Sequence, residues 1–221
     1  MTFHFITLFP EAVEPYLHAS ILGRAEKKKL LKFKLVHLRK FGKGRHRQVD
    51  DRAYGGGPGM VLQVEPIARA VRNIEAGIRN KELRRKTRGR TRIILFSTRG
   101  KLFSEKEAKR LSKYDHLVFI CGRYEGVDER VAKHIADEEI SIGDFILSGG
   151  ELPALIVTDA VSRLIPGVLG KTESLEDIKG SYPVYSKPEA FERHNVPKIL
   201  LSGNHKDIQE WRKGYGNPKP R

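Results

Sequence analysis

The stretch from Ile140 to Gly167 constrains this chain more than any other. It reads as an apolar strand (Ile140 to Leu147), a turn (Ser148-Gly149-Gly150) and a helix that runs from Glu151 to a Pro166-Gly167 stop. Glu151 and Pro153 suit a first helical turn, where a carboxylate complements the dipole and a missing amide proton costs little. Leu152, Leu155, Ile156, Ala160, Leu164 and Ile165 recur at helical spacing, with Asp159, Ser162 and Arg163 on the other side. A strand that enters a glycine turn and then a helix is where α/β folds bind ligands. This turn has no lysine for a phosphate and no GxGxxG for a pyrophosphate. It therefore favours a ligand held by backbone groups and apolar walls, such as a nucleoside. Close backbone packing is the competing explanation of the same glycines.

The elements before it repeat the pattern. Phe3 to Leu8 and Lys32 to Leu38 read as strands, and a short helix runs from Pro10 to about His18. Glu65 to about Ile78 is helical, and Arg79 to Arg92 is a basic connector. The strands Arg92 to Ser97 and His116 to Cys121 lead into Ser97-Thr98-Arg99-Gly100 and Gly122-Arg123-Tyr124-Glu125-Gly126. A helix follows each turn, one near Val127 to His134 and one from about Ser104, where Glu107 three residues on completes a capping box. Successive strand-turn-helix units starting near Arg92, His116 and Ile140 predict an α/β protein with a parallel sheet flanked by helices and the turns on its carboxyl edge. Between Lys40 and Gln63 lies a long loop centred on Tyr54-Gly55-Gly56-Gly57-Pro58-Gly59-Met60, and the apolar Met60-Val61-Leu62 predicts that it docks. The expected organisation is a main domain over 1–170, an acidic linker over 171–180 (Glu173, Glu176, Asp177) and a small, mostly helical C-terminal module over 181–221 with a last helix near Lys206 to Lys213.

A chain of 221 residues, 39% of them hydrophobic, can bury one good core and a small appended module. The single cysteine, Cys121, excludes an intramolecular disulfide, ends an apolar strand and reads as a buried thiol; no His/Cys spacing matches a zinc site. No apolar run is long enough for a bilayer, and Phe3 to Phe9, which carries His4, is too short for a signal peptide, so a soluble cytoplasmic protein is expected. The net charge of +15 is concentrated: residues 24 to 52 hold twelve Lys/Arg against three acids and residues 79 to 113 hold fourteen against three. Clustering of this kind is the footprint of a polyanion site, most often nucleic acid, although a solvated basic surface gives the same counts.

Five segments then occur in order: Asp50-Asp51-Arg52 with the Tyr54 to Met60 loop, Gly122 to Gly126, Ile142 to Pro153, Arg163 to Gly170, and Ser202-Gly203-Asn204-His205. Together they resemble the bacterial tRNA (guanine-N1)-methyltransferase family TrmD, of the SPOUT class, over nearly the whole chain. The resemblance implies a deep trefoil knot at the carboxyl edge of the sheet, which general rules of chain topology would not suggest. It implies S-adenosylmethionine bound in that knot by Leu95, Phe96, Gly122, Glu125, Ile142, Gly143, Asp144, Phe145, Ile146, Leu147, Gly149, Gly150 and Pro153. It further implies a homodimer with shared active sites that methylates N1 of guanosine 37 in tRNA. Arg45, His46, Arg47, Arg52, Asn204 and His205 are its RNA-binding candidates. No protein metal site is implied, and a divalent Mg ion is compatible with the resemblance.

Guanine N1 carries a proton at neutral pH, so its methylation needs a base for that proton and a cation for charge developing towards O6. The resemblance gives these catalytic roles to Asp177 and Arg163. The same Arg163 could instead form an i,i+4 pair with Asp159, and Asp177 could be a solvated linker acid. This chain departs from the family where Ser97-Thr98-Arg99-Gly100 replaces Ser-Pro-Gln-Gly and Phe145 replaces a tyrosine. Its linker is shorter than usual, which leaves Glu176 as the alternative base, and it ends at Arg221 where relatives continue. A SPOUT enzyme for another RNA position and a non-catalytic RNA-binding protein are the competing functions; the second leaves the cofactor turns and Arg163 unexplained.

Overall fold

The computed structural model describes residues 1–85, 89–169 and 182–215, with backbone alone at 84 and 85. They fall into two units, Met1–Leu169 and Gly170–Arg221. The first unit is built on a five-stranded sheet. Strands β1 (Thr2–Thr7), β2 (Lys32–His37), β5 (Thr91–Leu102), β6 (His116–Ile120) and β7 (Glu138–Ser141) lie in the order β2-β1-β6-β5-β7, with every pair parallel. A parallel sheet is buried on both faces, which is why the Leu117 to Ile120 part of the inner strand β6 and the Ile93 to Phe96 part of β5 are continuously apolar, whereas the edge strands β2 and β7 carry charged residues. Phe3, Phe5, Ile94, Leu117 and Phe119 point to one face with helices α1 (Glu14–Leu17), α2 (Ser20–Lys27), α4 (Glu105–Leu111) and α6 (Glu151–Ser162). Ile6, Ile93, Leu95, Val118 and Ile120 point to the other, with α3 (Val64–Arg85) and α5 (Glu129–His134). Alternation of side chains along each strand divides the core in two.

Several boundaries differ from the sequence reading. The strand expected over Ile140 to Leu147 is Glu138–Ser141, and its pairing with β5 ends at Ser141 opposite Leu102. The remaining apolar residues form an irregular loop. Helix α3 continues through Arg85, so the basic connector is partly helical; Arg, Lys, Glu and Leu are good helix formers and nothing before Arg85 stops them. Ser104 precedes α4 without a capping side-chain hydrogen bond. Its expected partner Glu107 is buried and bonded to Lys101 (2.6 Å) and Arg110 (2.8 Å) instead.

Helix α6 buries Ala154, Leu155, Val157, Thr158, Val161 and Ser162, while Leu152 and Ile156, assigned to its inner face, are 57% and 47% exposed. The helix is apolar nearly all round, so its pattern does not define one inward stripe. Short strands β3 (Asp50–Asp51) and β4 (Val61–Leu62) pair antiparallel.

The second unit holds a small hairpin, β8 (Ala190–Phe191) with β9 (His194–Asn195), and helices α7 (Lys198–Leu201) and α8 (His205–Lys213). Asn204 caps α8 by accepting from the Lys206 and Asp207 amides. Among the described residues no helix is long and apolar enough to cross a membrane.

At the edge of the sheet opposite the turns, His4 is 5% exposed and its Nε2 lies 3.3 Å from His116 Nδ1. Burial, then the facing His116 and the nearby Lys34 and Lys81, push the His4 imidazole down to about 3, and burial lowers His116 as well. In the unfolded chain these rings take a proton near pH 6.5, so below that pH the unfolded state binds more protons than the native one. Stability is therefore complete above about pH 6.5 and falls as pH drops towards 3. The urea midpoint is expected to decline between pH 7 and pH 4.5, and His4→Gln, which cannot be protonated, is expected to reduce that decline. An equal decline in both proteins overturns the assignment.

Candidate functional site

The three expected turns meet at the carboxyl edge of the sheet around a cavity of about 440 Å³. The first is an excursion of β5. Phe96 and Lys101 both face Ile140 of β7, so Ser97 to Gly100 leave the sheet and return over the same partner. Gly100 makes this fit, since a Cβ there would lie 2.6 Å from the Glu139 carbonyl carbon and the Ile140 nitrogen. Leu95 and Phe96 lead into the excursion and line the cavity, as do Ser97, Thr98 and Arg99. The Arg99 Nη2 donates to Glu129 at the start of α5 (2.7 Å) and stands 3.8 Å from Glu139 Oε2.

The second turn follows β6. Gly122 and Glu125 line the cavity, and the turn is where the long loop docks, as Met60-Val61-Leu62 predicted. The Glu125 amide donates to the Met60 carbonyl, and Leu62 exchanges backbone bonds with Gly126 and Asp128, each at 3.0 Å. Gly59 has φ +78° and sits so close to the Glu125 side chain that a Cβ would lie 2.5 Å from its Cγ. Both features restrict that position to glycine.

The third turn carries Ile142, Gly143, Phe145, Ile146 and Leu147, then Gly149, Gly150 and Pro153, all in the cavity wall. Asp144 is the exception: it is exposed and outside the wall, because the chain turns at Gly143 and packs the Phe145 ring over that glycine. Gly150 touches the end of β6. Its amide donates to the Gly122 carbonyl (2.9 Å), and a Cβ would lie 2.7 Å from Cys121 Cα. Close packing, posed as the alternative to a ligand site for these glycines, is thus observed in a turn that also lines the cavity. Cys121 is fully enclosed, and burial pushes its thiol far up, so it is held as a neutral thiol.

One interaction that sequence patterning missed holds the turns together. Glu151, expected only to complement the helix dipole, is 3% exposed. Its Oε1 accepts from the Thr7 hydroxyl (2.6 Å) and its Oε2 from Arg123 Nε (3.0 Å). Arg123 also donates to the Ser148 carbonyl (3.3 Å) and lies over the Phe9 ring, 4.6 Å from its centroid. Nothing in local spacing signals a contact between residues 28 and 144 positions apart.

Arg163 follows α6, is exposed, and has no side-chain ion pair among the described residues. The i,i+4 pair with Asp159 is not formed; Asp159 Oδ2 accepts the Tyr16 hydroxyl at 2.7 Å. Asp177 and Glu176 lie outside the described residues. Arg45, His46 and Arg47 are exposed at the tip of a turn closed by the Lys43–Gln48 bridge, and Arg52 is exposed beyond β3. Asn204 and His205 belong to the second unit, where Asn204 has its capping role. Among the described residues no group of three or more His, Cys, Asp and Glu is placed to hold a metal ion.

The basic segment over 79–113 is partly consumed within the fold. Glu138 accepts from Arg92 (2.8 Å) and Arg110 (2.6 Å), and Lys101, Arg99 and Lys109 each pair with a glutamate. Removing the carboxylate from the buried Glu151 cluster strands the Thr7 hydroxyl and an arginine that is only partly solvated. Glu151→Ala is expected to cost about 2–4 kcal/mol of stability by chemical denaturation, below the full value for a buried pair because Arg123 keeps some water. A loss under about 1 kcal/mol, the level of a surface ion pair, overturns this reading.

Comparison with known proteins agrees along the chain. A family model described as tRNA (Guanine-1)-methyltransferase TrmD matches residues 1–219. A tRNA (guanine-N(1)-)-methyltransferase of Staphylococcus carnosus is 46% identical over 217 residues, covering 96% of this chain and 84% of the relative. Proteins with the same description from Bacillus subtilis and Desulfitobacterium hafniense are each 46% identical, covering 96% of this chain and 86% and 79% of their own lengths. The chain belongs to the tRNA (guanine-1)-methyltransferase TrmD family.

Proposed function

We propose that this chain methylates N1 of guanosine 37 in tRNA, with S-adenosylmethionine as methyl donor, as a homodimer whose carboxyl sheet edge is tied into a trefoil knot. The observation that carries the reading is the cavity itself. Apolar side chains and the backbone of three glycine-containing turns make most of its wall, with Arg99, Arg123, Glu125, Glu129 and Glu139 as its charged members; no lysine lines it, and its size suits a nucleoside-bearing ligand. The residues present fit that cofactor, and Leu95, Phe96, Gly122, Ile142, Leu147 and Gly150 would hold it, with Glu125, Gly143, Phe145, Ile146, Gly149 and Pro153 around them. When bound, S-adenosylmethionine supplies an electrophilic methyl group on a sulfonium.

The chain's own residues do the rest. Asp177, or Glu176 in the shortened linker, accepts the N1 proton as the methyl group arrives, and Arg163 meets the charge that grows on O6. The absence of an Asp159 pair supports this role for Arg163, since its guanidinium makes no competing ion pair among the described residues. Homodimer formation is supported by apolar surface beside the site, where Ile146 is 89% exposed and Leu152 and Ile156 project from α6. The knot is supported by the path of the chain, which passes from β7 at the sheet edge back to Gly122 after β6 before entering α6.

Methyl transfer to tRNA transcripts that differ only at nucleotide 37, with the modified atom located by mass spectrometry, tests the reaction. Asp177→Asn is expected to lower the single-turnover rate roughly a hundredfold to ten-thousandfold while cofactor affinity changes little, the signature of a lost general base. If Glu176→Gln loses the rate and Asp177→Asn keeps it, Glu176 is the base. If both keep it, neither is.

Affinity for tRNA is expected to fall steeply with salt as counterions are released. Because Arg92, Arg99, Lys101, Lys109 and Arg110 are engaged with acids, the slope should depend on other cations of the segment. The triple substitution Arg84→Ala, Arg85→Ala, Arg88→Ala is expected to flatten the slope; an unchanged slope places that segment away from RNA.

A further inference from the structure

Within the cavity one charged group has no evident structural task. Glu139 sits on β7 opposite Leu95 and lines the cavity, yet its carboxylate makes no hydrogen bond among the described residues. Its two oxygens have different surroundings. Oε2 is buried and faces the Arg99 guanidinium at 3.8 Å, beyond hydrogen-bond range. Oε1 belongs to the accessible part of a side chain that is 25% exposed. Its neighbour Glu138 shows the contrast: that carboxylate is saturated by Arg92 and Arg110 and serves the fold. A carboxylate with one oxygen buried and no hydrogen-bond donor is under-solvated as a group, and a ligand donor to its accessible oxygen offsets part of that cost while the buried oxygen keeps only the Arg99 charge.

We propose that Glu139 is a cofactor-recognition residue whose open Oε1 accepts hydrogen bonds from the ribose hydroxyls of the bound nucleoside. The inference rests on the S-adenosylmethionine reading above. The apolar wall beside Glu139, made by Leu95, Phe96 and Ile140, suits the flat, uncharged nucleoside, and an acid at a strand of an α/β nucleotide site characteristically takes the ribose diol. Arg99 serves as a positioning residue. The Ser97 to Gly100 excursion is packed on the backbone of Glu139 and Ile140 through Gly100, so the guanidinium is carried to the rear oxygen by the fold. It fixes the carboxylate with its front oxygen towards the cavity, while Glu129 fixes the guanidinium from α5.

Calorimetry on the full chain tests this with two pairs of ligands. S-adenosylhomocysteine and 5′-methylthioadenosine both carry the ribose diol, and only the first carries an ammonium; the 2′,3′-dideoxy form of each lacks the diol. Glu139→Gln is expected to weaken both diol ligands about tenfold to a hundredfold, the effect of a lost hydrogen bond to a charged group, and to leave the dideoxy ligands unchanged. Wild-type protein alone should discriminate against the dideoxy forms by the same factor, which keeps the test valid if the variant folds poorly. If Glu139→Gln weakens S-adenosylhomocysteine but not 5′-methylthioadenosine, the acid binds the ammonium and the ribose assignment is overturned. Equal affinity of wild type for diol and dideoxy ligands overturns it too. Failure of wild type to bind S-adenosylhomocysteine at all removes the cofactor reading itself, a distinct result.

Discussion

The site depends on a buried carboxylate. Glu151 opens α6 and bonds the Thr7 hydroxyl at the end of β1 and Arg123 after β6, so one side chain ties together two strand ends and a helix start. Burying a charge is costly unless it is paired and hydrogen-bonded, and here both oxygens are satisfied. The pair is small in energy beside the two hydrophobic layers of the sheet, but it decides geometry where those layers end. Gly150 completes the constraint, because the helix start can approach Cys121 and Gly122 only without a Cβ. The carboxylate and the glycine are adjacent in sequence and act on the same junction.

Charge in this chain has two uses that a count cannot separate. Residues 79 to 113 look like one basic segment, yet Arg92 and Arg110 converge on Glu138, and Lys101 and Arg110 on Glu107. Burial drives that network: Glu107 is 3% exposed, and the hydrogen bond from Lys101 holds its carboxyl below the ordinary carboxylate value, with Arg110 adding to it. Its cations brace α4 against the edge of the sheet. The exposed group Arg45, His46 and Arg47 has no such carboxylates among the described residues and stands on a turn that presents it to solvent. On the proposed function, the first kind of cation stabilises the fold and the second meets phosphate.

Period-two and period-3.6 patterns placed strands β1, β2, β5 and β6 and most of the longer helices, and the three glycine turns were expected on one sheet edge, where they are found. The patterns failed where a residue's role is set by distant partners. Glu107 looked like half of a capping box because Ser104 stands three residues before it, but Lys101 and Arg110 outcompete the helix terminus for its carboxylate. Glu151 looked like a dipole complement because its partners are far away in sequence. The inward face of α6 was misread because apolar residues cover Leu152 and Ile156 as well as Leu155 and Val161, so periodicity carried no decision. Ile142 to Leu147 is largely apolar and so resembles a strand, yet all of it except Asp144 lines a cavity, and its pairing with β5 stops at Ser141.

A loop carrying Phe145, Ile146 and Leu147 at the surface is unfavourable for an isolated subunit, since each side chain leaves apolar area in water. Gly143 lets the Phe145 ring fold back over the backbone, which hides part of one of them. The proposed assembly removes the rest from water in two ways: a nucleoside covers the cavity side, and a second copy covers the solvent side, as it does for the exposed Leu152 and Ile156 of α6. Ligand and partner then bury adjacent surfaces of one short loop, so binding of either reduces the area the other must desolvate alone. On the proposed function, apolar residues held out of the core at this point connect the cofactor site to subunit association.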